Sequence, residues 1–291
     1  MLLAAPNFSE GRDPDLIAAL AAEFARGAGV LDVHSDPVHN RTVVTVSAPP
    51  GDLAPALASG ARACVERIDL RHHVGAHPRI GALDVCPAIY LADGDREAAR
   101  AEALAAAEAI AELGVPVFLY GELAAGDRRR ERAHFRRGGA VELARRMDAG
   151  ELEPDLGPTE PHPTAGATLV TARPPLAAFN VLLDTLDPDV ARAVAAELRE
   201  SGGGLAGVRA IGIDLAGRAQ VSTNVHDPVA VPLGAVVERV RELAAAHGAR
   251  PVSGELVGLI PQAALAGYPD DVPIEGFDPA LHVIERRVRA G

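Results

Sequence analysis

Apolar and polar positions along the chain follow two periods. Over Asp13–Arg26 apolar residues recur three and four apart (Leu16, Ile17, Leu20, Phe24), behind the start signal Arg12-Asp13-Pro14, and this spacing predicts a helix. Leu53–Ile68 and the alanine-rich Arg96–Leu113, which stops at Gly114, predict two more. Short apolar or β-branched runs predict strands at Leu2–Ala5, Val30–Val33, Thr42–Ser47, Ala82–Tyr90 and Val115–Tyr120, with His34–Arg41 as a turn. An arginine-rich stretch, Asp127–Arg137, precedes a short helix near Ala140–Met147. Gly150–Gly166 follows, rich in Pro, Gly and Thr and poor in apolar residues, and reads as a long functional loop.

The pattern then restarts. Ala177–Leu183 predicts a strand, Pro188–Arg199 a helix ended by Gly202-Gly203-Gly204, and Val208–Leu215 and Ala219–Asn224 two strands. Leu233–His247 predicts a helix and Arg250–Val257 a strand, before two short helices near Gln262–Ala266 and Pro279–Arg289. The second half is thus β-α-β-β-α-β, the split βαβ order, and the first half carries the same order with additions. The expected fold is α/β (α+β): two ferredoxin-like βαββαβ subdomains, 1–173 and 174–291, breaking near Arg173–Pro175.

Composition narrows the chemistry. A chain of 291 residues, 48% apolar and 23% charged, is ordinary for a globular protein. A formal charge of −12 argues against nucleic acid and membrane surfaces as partners, and no apolar run approaches the roughly 20 residues of a bilayer span. All 28 basic residues are arginine, which excludes a Schiff-base lysine and a P-loop. Cys64 and Cys86 are the only cysteines, too few for a disulfide framework, and the start of the chain lacks the marks of a signal peptide. A reducing cytoplasm is the expected compartment.

Four stretches carry candidate chemistry. In His72-His73-Val74-Gly75-Ala76-His77-Pro78-Arg79-Ile80-Gly81-Ala82-Leu83-Asp84-Val85, three histidines fall within six residues beside an arginine, just before an apolar strand. That suits a proton shuttle for an anionic substrate, and equally a polar loop; a metal site is the third reading. Asp36–Thr42 is either a hairpin turn, with Asn40 at its tight position, or a presentation of Arg41 to a carboxylate. Asp155–Thr168 is either a rigid wall for a flat ligand or a linker. Glu200–Leu205 is either a phosphate cradle or, since it follows a helix, a C-cap.

These stretches in this order resemble the formiminotransferase family. The matching words are PNFSEGRD, HNRTVVT, HPRIGALDVCP, VPVFLYGE, PDLGP, HPTAGATLVTARPPLAAFN, RESGGGL, AQVSTN and ELVGLIPQAAL, spread from Pro6 to Leu265. The chain departs from the family's usual residues at His34, Ala76, Ala88-Ile89-Tyr90, Thr171 and Leu182. The resemblance implies two related α/β subdomains, a ligand groove between them, and a homodimer. It implies transfer of a formimino group from N-formimino-L-glutamate to the 5-nitrogen of tetrahydrofolate, in histidine degradation, with tetrahydrofolate as co-substrate and no metal. The family's catalytic histidine falls on His77. Arg41 and Arg79, in matching words, are the expected holders of substrate carboxylates, with Asp36, Asn40 and Glu122 as further substrate-side candidates; Asp36 or Glu122 could orient the imidazole. The family's folate-contacting segments fall on Gly157, Pro158, Thr159, His162, Pro163, Thr164 and Gly166, and on Gly203, Gly204, Val208, Ile211 and Gly212. Formyl transfer between glutamate and folate, and folate binding without turnover, stand as alternatives.

Overall fold

The computed structural model describes residues 1–215 and 217–290. The chain divides into two units, Met1–Pro174 and Pro175–Gly291.

The first unit runs β1 (Leu2–Ala4), β2 (Asn7–Phe8), α1 (Pro14–Phe24), β3 (Gly29–Asp36), β4 (Arg41–Ala48), α2 (Leu53–Arg67), β5 (Leu83–Ile89), α3 (Arg96–Glu112), β6 (Val117–Leu119), α4 (Arg132–Arg136), α5 (Gly139–Asp148) and β7 (Thr168–Arg173). β1 and β2 are one strand interrupted at Ala5-Pro6, and both pair with β4 on one side and β5 on the other. Across the sheet the order is β3, β4, β1/β2, β5, β7, β6. Its first four places are the antiparallel ladder of a βαββαβ unit. β7 and β6 extend that ladder in parallel with β5.

Burial explains where the hydrophobic pattern was readable. α1, α2 and α3 cover one face, packing Leu20, Phe24, Leu57 and Ile110 on Leu2, Val44, Val46, Cys86 and Val170. α4 and α5 cover the other face over β5, β6 and β7, packing Phe135, Leu143 and Met147 on Val85, Phe118 and Leu169. Strands covered on both faces lose the apolar–polar alternation. That is why β7, buried along all but its last residue, went unpredicted beside the long loop. β3 is longer than expected because its outer residues are exposed and polar, which masked it as a turn.

Helix starts follow local chemistry. Asp13 accepts from the backbone N–H of Asp15 and Leu16, both at 3.0 Å, with Pro14 in the first helical position. α2 has no cap of its own; Glu102 of α3 accepts from the N–H groups of Gly51 and Ala54 at its start.

The second unit runs β8 (Ala177–Leu183), α6 (Pro188–Leu198), β9 (Val208–Asp214), β10 (Ala219–Val225), α7 (Leu233–Ala245), β11 (Pro251–Val257), α8 (Pro279–His282) and α9 (Ile284–Ala290). Its antiparallel sheet has the order β11-β8-β10-β9, the same ladder as in the first unit. α6 and α7 cover one face, closing a core around Phe179, Val181, Leu198, Val221 and Val237. Among the described residues no helix is long and apolar enough to cross a membrane.

Candidate functional site

The site is built on the first unit, where the turn before β4, the loop before β5 and the helix α4 meet. The turn forms as its residues require. Asp36 Oδ1 accepts from the N–H groups of Val38 and His39 (2.7 and 2.8 Å), and Asn40 takes a left-handed φ of 50°. Asn40 then ties three segments: its Oδ1 accepts from Gly11 N, its Nδ2 donates to Val74 O, and its carbonyl accepts from His73 Nε2. Gly75 lies so close that a Cβ there would stand 2.2 Å from His39 O.

The next residue, Arg41, points inward. Its NH1 donates to Asp84 Oδ2 at 2.6 Å, and its Nε and NH2 donate to Asn7 Oδ1 at 3.1 and 2.6 Å. Asp84, fully buried on β5, also receives Arg136 from α4 and the backbone N–H of Ile80 (2.8 Å). Burial pushes the Asp84 carboxyl up, but Arg136 and Arg41 outweigh it and hold the group below the usual aspartate range. One carboxylate thus serves two guanidiniums, and the local charge stays positive.

The three histidines part company. His72 is exposed, and His73 is spent on the Asn40 carbonyl. His77 is half-buried, with Nδ1 2.7 Å from the carbonyl oxygen of Pro78 and 3.4 Å from Arg41 NH1. A carbonyl only accepts and a guanidinium only donates, so the short contact makes Nδ1 the protonated nitrogen. The Nε2 lone pair is then free to take a proton. Burial, then Arg41, Arg136 and His39, hold the imidazole well below the ordinary histidine range; only the Pro78 carbonyl works the other way. His39 stacks edge-on against it, ring centroids 5.7 Å apart, with its own Nδ1 3.1 Å from Asp36 Oδ2.

The other expected site residues fall in several places. Arg79 donates to the carbonyls of His73 (2.8 Å), His77 (3.1 Å) and Gly75 (3.2 Å), so its guanidinium clasps the histidine loop rather than facing outward. Asp36 pairs with His39. Glu122 accepts from Tyr90 Oη (2.7 Å) and Arg96 Nε (2.9 Å). Neither carboxylate bonds the His77 ring among the described residues; the Pro78 carbonyl orients it instead.

The 155–168 loop returns against the histidine loop. Gly166 bridges to Gly81, Ala82 N donates to Ala165 O (2.8 Å), and Ala167 N donates to Ile80 O (2.9 Å). Gly166 has a φ of 68° and its missing Cβ would stand 2.2 Å from Ile80 O. His162 Nδ1 accepts from Ala165 N at 3.0 Å and shapes the turn, Thr164 O accepts from Leu70 N, and Gly157, Pro158, Thr159 and Pro163 are exposed.

In the second unit the glycine run is a C-cap. The N–H groups of Gly202, Gly203, Gly204 and Leu205 donate to carbonyls of Leu198, Arg199 and Glu200, and so are not aimed at an anion. Val208 is in the core, and a Cβ on Gly212 would stand 2.3 Å from Arg192 N of α6. Both residues serve packing, whereas Ile211 is 40% exposed on the opposite face of β9.

Sequence reasoning assigned no role to Asp84, Arg132, Arg136, Arg173 and Tyr120, although Asp84, Tyr120 and Arg173 lie in its quoted stretches. Arg132 and Arg136 stand one turn apart on α4, and the positive charge of Arg132 reaches Arg173 at the end of β7. A lone acid inside the apolar run Leu83–Ile89 and the arginine-rich stretch before α5 were the available signals. Among the described residues no three His, Cys, Asp or Glu side chains converge as a metal-ligand set.

Comparison with known proteins agrees over both units. Residues 1–173 match the N-terminal subdomain of the formiminotransferase domain, and residues 178–268 match the formiminotransferase domain. The chain is 36% identical to a glutamate formimidoyltransferase of Streptococcus pyogenes, covering 97% of each chain. It is 34% identical to one of Thermoplasma acidophilum, covering 97% of this chain and 95% of that one. It is 40% identical to the formimidoyltransferase-cyclodeaminase of Sus scrofa over 89% of this chain, which spans half of that longer protein.

Proposed function

The chain belongs to the formiminotransferase family, and from that premise we propose that it is a glutamate formimidoyltransferase. It moves a formimino group from N-formimino-L-glutamate to N5 of tetrahydrofolate, giving 5-formiminotetrahydrofolate and L-glutamate, as a step of histidine degradation. The observation that carries the mechanism is the neutral, Nδ1–H imidazole of His77 beside a cluster of arginines.

The chemistry follows from that arrangement. N5 attacks the amidine carbon, and a C–N5 bond forms. The new ammonium centre gives its proton to His77 Nε2. The imidazolium then hands that proton to the departing glutamate nitrogen as the C–N bond to glutamate breaks. One group acts as base and then acid, and no proton is gained or lost overall. Binding a glutamyl carboxylate within the arginine cluster offsets the positive field on His77. That raises its proton affinity when a proton must be held.

The wall at 157–166 is read as the folate side, since its backbone bonds place it against the base of the histidine loop. The same reading has the enzyme working as a homodimer in the cytoplasm, in keeping with two buried free thiols. The test is release of L-glutamate from N-formimino-L-glutamate, followed with and without tetrahydrofolate, with N-formyl-L-glutamate as a second donor. Folate-dependent release from the formimino donor is expected. Release from the formyl donor alone, or from neither, would overturn the reading.

A further inference from the structure

The arginines expected to hold substrate are already engaged. Arg41 spends Nε, NH1 and NH2 on Asn7 and Asp84, and Arg79 spends its guanidinium on three loop carbonyls. A different group of cations is under-served. Arg136 reaches Asp84 through NH2, while its Nε is buried without a partner. Arg132, half-buried one turn before it on the same short helix, bonds no acceptor among the described residues. Among the described residues the Arg173 guanidinium, at the end of β7, donates only to the carbonyl of its neighbour Pro174. Tyr120, just beyond β6, lies within the field of all three.

Charge counting sharpens the point. Arg41, Arg132, Arg136 and Arg173 bring four positive charges. Among the described residues the carboxylate bonded to them is Asp84, and Glu131 adds its field to Arg132. Taking guanidinium groups out of water is costly unless an anion meets them, and a planar fork of N–H donors matches a carboxylate in particular.

We propose that Arg132, flanked by Arg136 and Arg173, is the clamp for a carboxylate of the amino-acid donor, placing its amidine beside His77. This rests on the transfer reading above and names the specificity device of the same site. A glutamate carboxylate also ends the folate molecule, so the chemistry has two sources.

Arg132→Gln and Arg132→Lys separate them. With tetrahydrofolate saturating, Arg132→Gln is expected to raise KM for N-formimino-L-glutamate about 10- to 100-fold while kcat changes far less. Arg132→Lys should recover only part of the loss, because an ammonium cannot make two parallel bonds. KM for the acceptor is measured with tetrahydrofolate and with tetrahydropteroate, which lacks the glutamate. A defect confined to the glutamate-bearing acceptor would assign the clamp to the folate tail and overturn the proposal, as would an unchanged donor KM. Circular dichroism checks folding, and Arg173→Gln supplies the same readout should Arg132→Gln fail to fold. Calorimetric titration with L-glutamate and L-glutamine is independent of turnover. Glutamate binding that weakens in Arg132→Gln, in a protein without transferase activity, would sink the transfer reading and leave the carboxylate clamp standing. Equal binding in both proteins would sink the clamp alone.

Discussion

An imidazolium beside guanidiniums gives up its proton early, and that has two measurable results. His77 should titrate below the usual histidine value of about 6.5, so the acid limb of kcat/KM falls below that pH. Stability carries the same sign. Below about pH 6.5 the unfolded chain binds a proton that folded His77 refuses, so this contribution is intact above that value and declines as pH falls toward the folded one. Urea unfolding at neutral and mildly acidic pH should show the decline, and His77→Gln should reduce it, leaving the smaller share of His73 and His134, which are shifted the same way. The same variant is expected to lose about 100-fold or more in kcat with its circular dichroism spectrum unchanged. Asp84 is the opposite case, a buried carboxylate on which Arg41, Arg136 and Ile80 N converge. Asp84→Asn leaves two guanidiniums uncompensated and is expected to cost about 3–5 kcal/mol, read from denaturant midpoints.

Among the elements, the histidine loop is held by side chain and backbone rather than by secondary structure. Removing the Arg79 clasp frees three carbonyls, so Arg79→Ala should speed amide exchange over residues 73–77. It should also lower kcat about 10- to 100-fold through misplacement of His77. Arg79→Ala is thus expected to act on kcat, whereas Arg132→Gln acts on KM. At this scale the hydrophobic pattern was most informative where an element has one wet face: α1, α2, α3, α6 and α7 were all legible from spacing. β7 was not, because both its faces are dry. α4 was hidden by its arginines, whose polarity suggested solvent, although Phe135 is fully buried and Arg136 nearly so. The family words point to His77, whose role awaits the variant test. The closure of Arg41 and Arg136 on Asp84 was not legible, because β5 lies more than forty residues from Arg41 and α4 about fifty residues beyond β5. Nothing local encodes that closure.

At the scale of the whole molecule, each unit completes its own ladder and core. The fragment Pro175–Gly291, with β11-β8-β10-β9 covered by α6 and α7, is expected to fold alone and melt cooperatively by circular dichroism. The first unit carries the polar chemistry, and within it two strips of chain far apart in sequence are stitched together. Gly81 and Gly166 lie in bridge contact, with Ile80, Ala82, Ala165 and Ala167 bonded on either side. Neither strip can shift without dragging the other. On the proposed assignment of the 157–166 wall to folate, a coenzyme pressing on that wall would alter the setting of the histidine loop, and so of the donor, through the other strip. Thermodynamics makes the influence mutual: whatever factor the first guest contributes to the second, the second returns to the first.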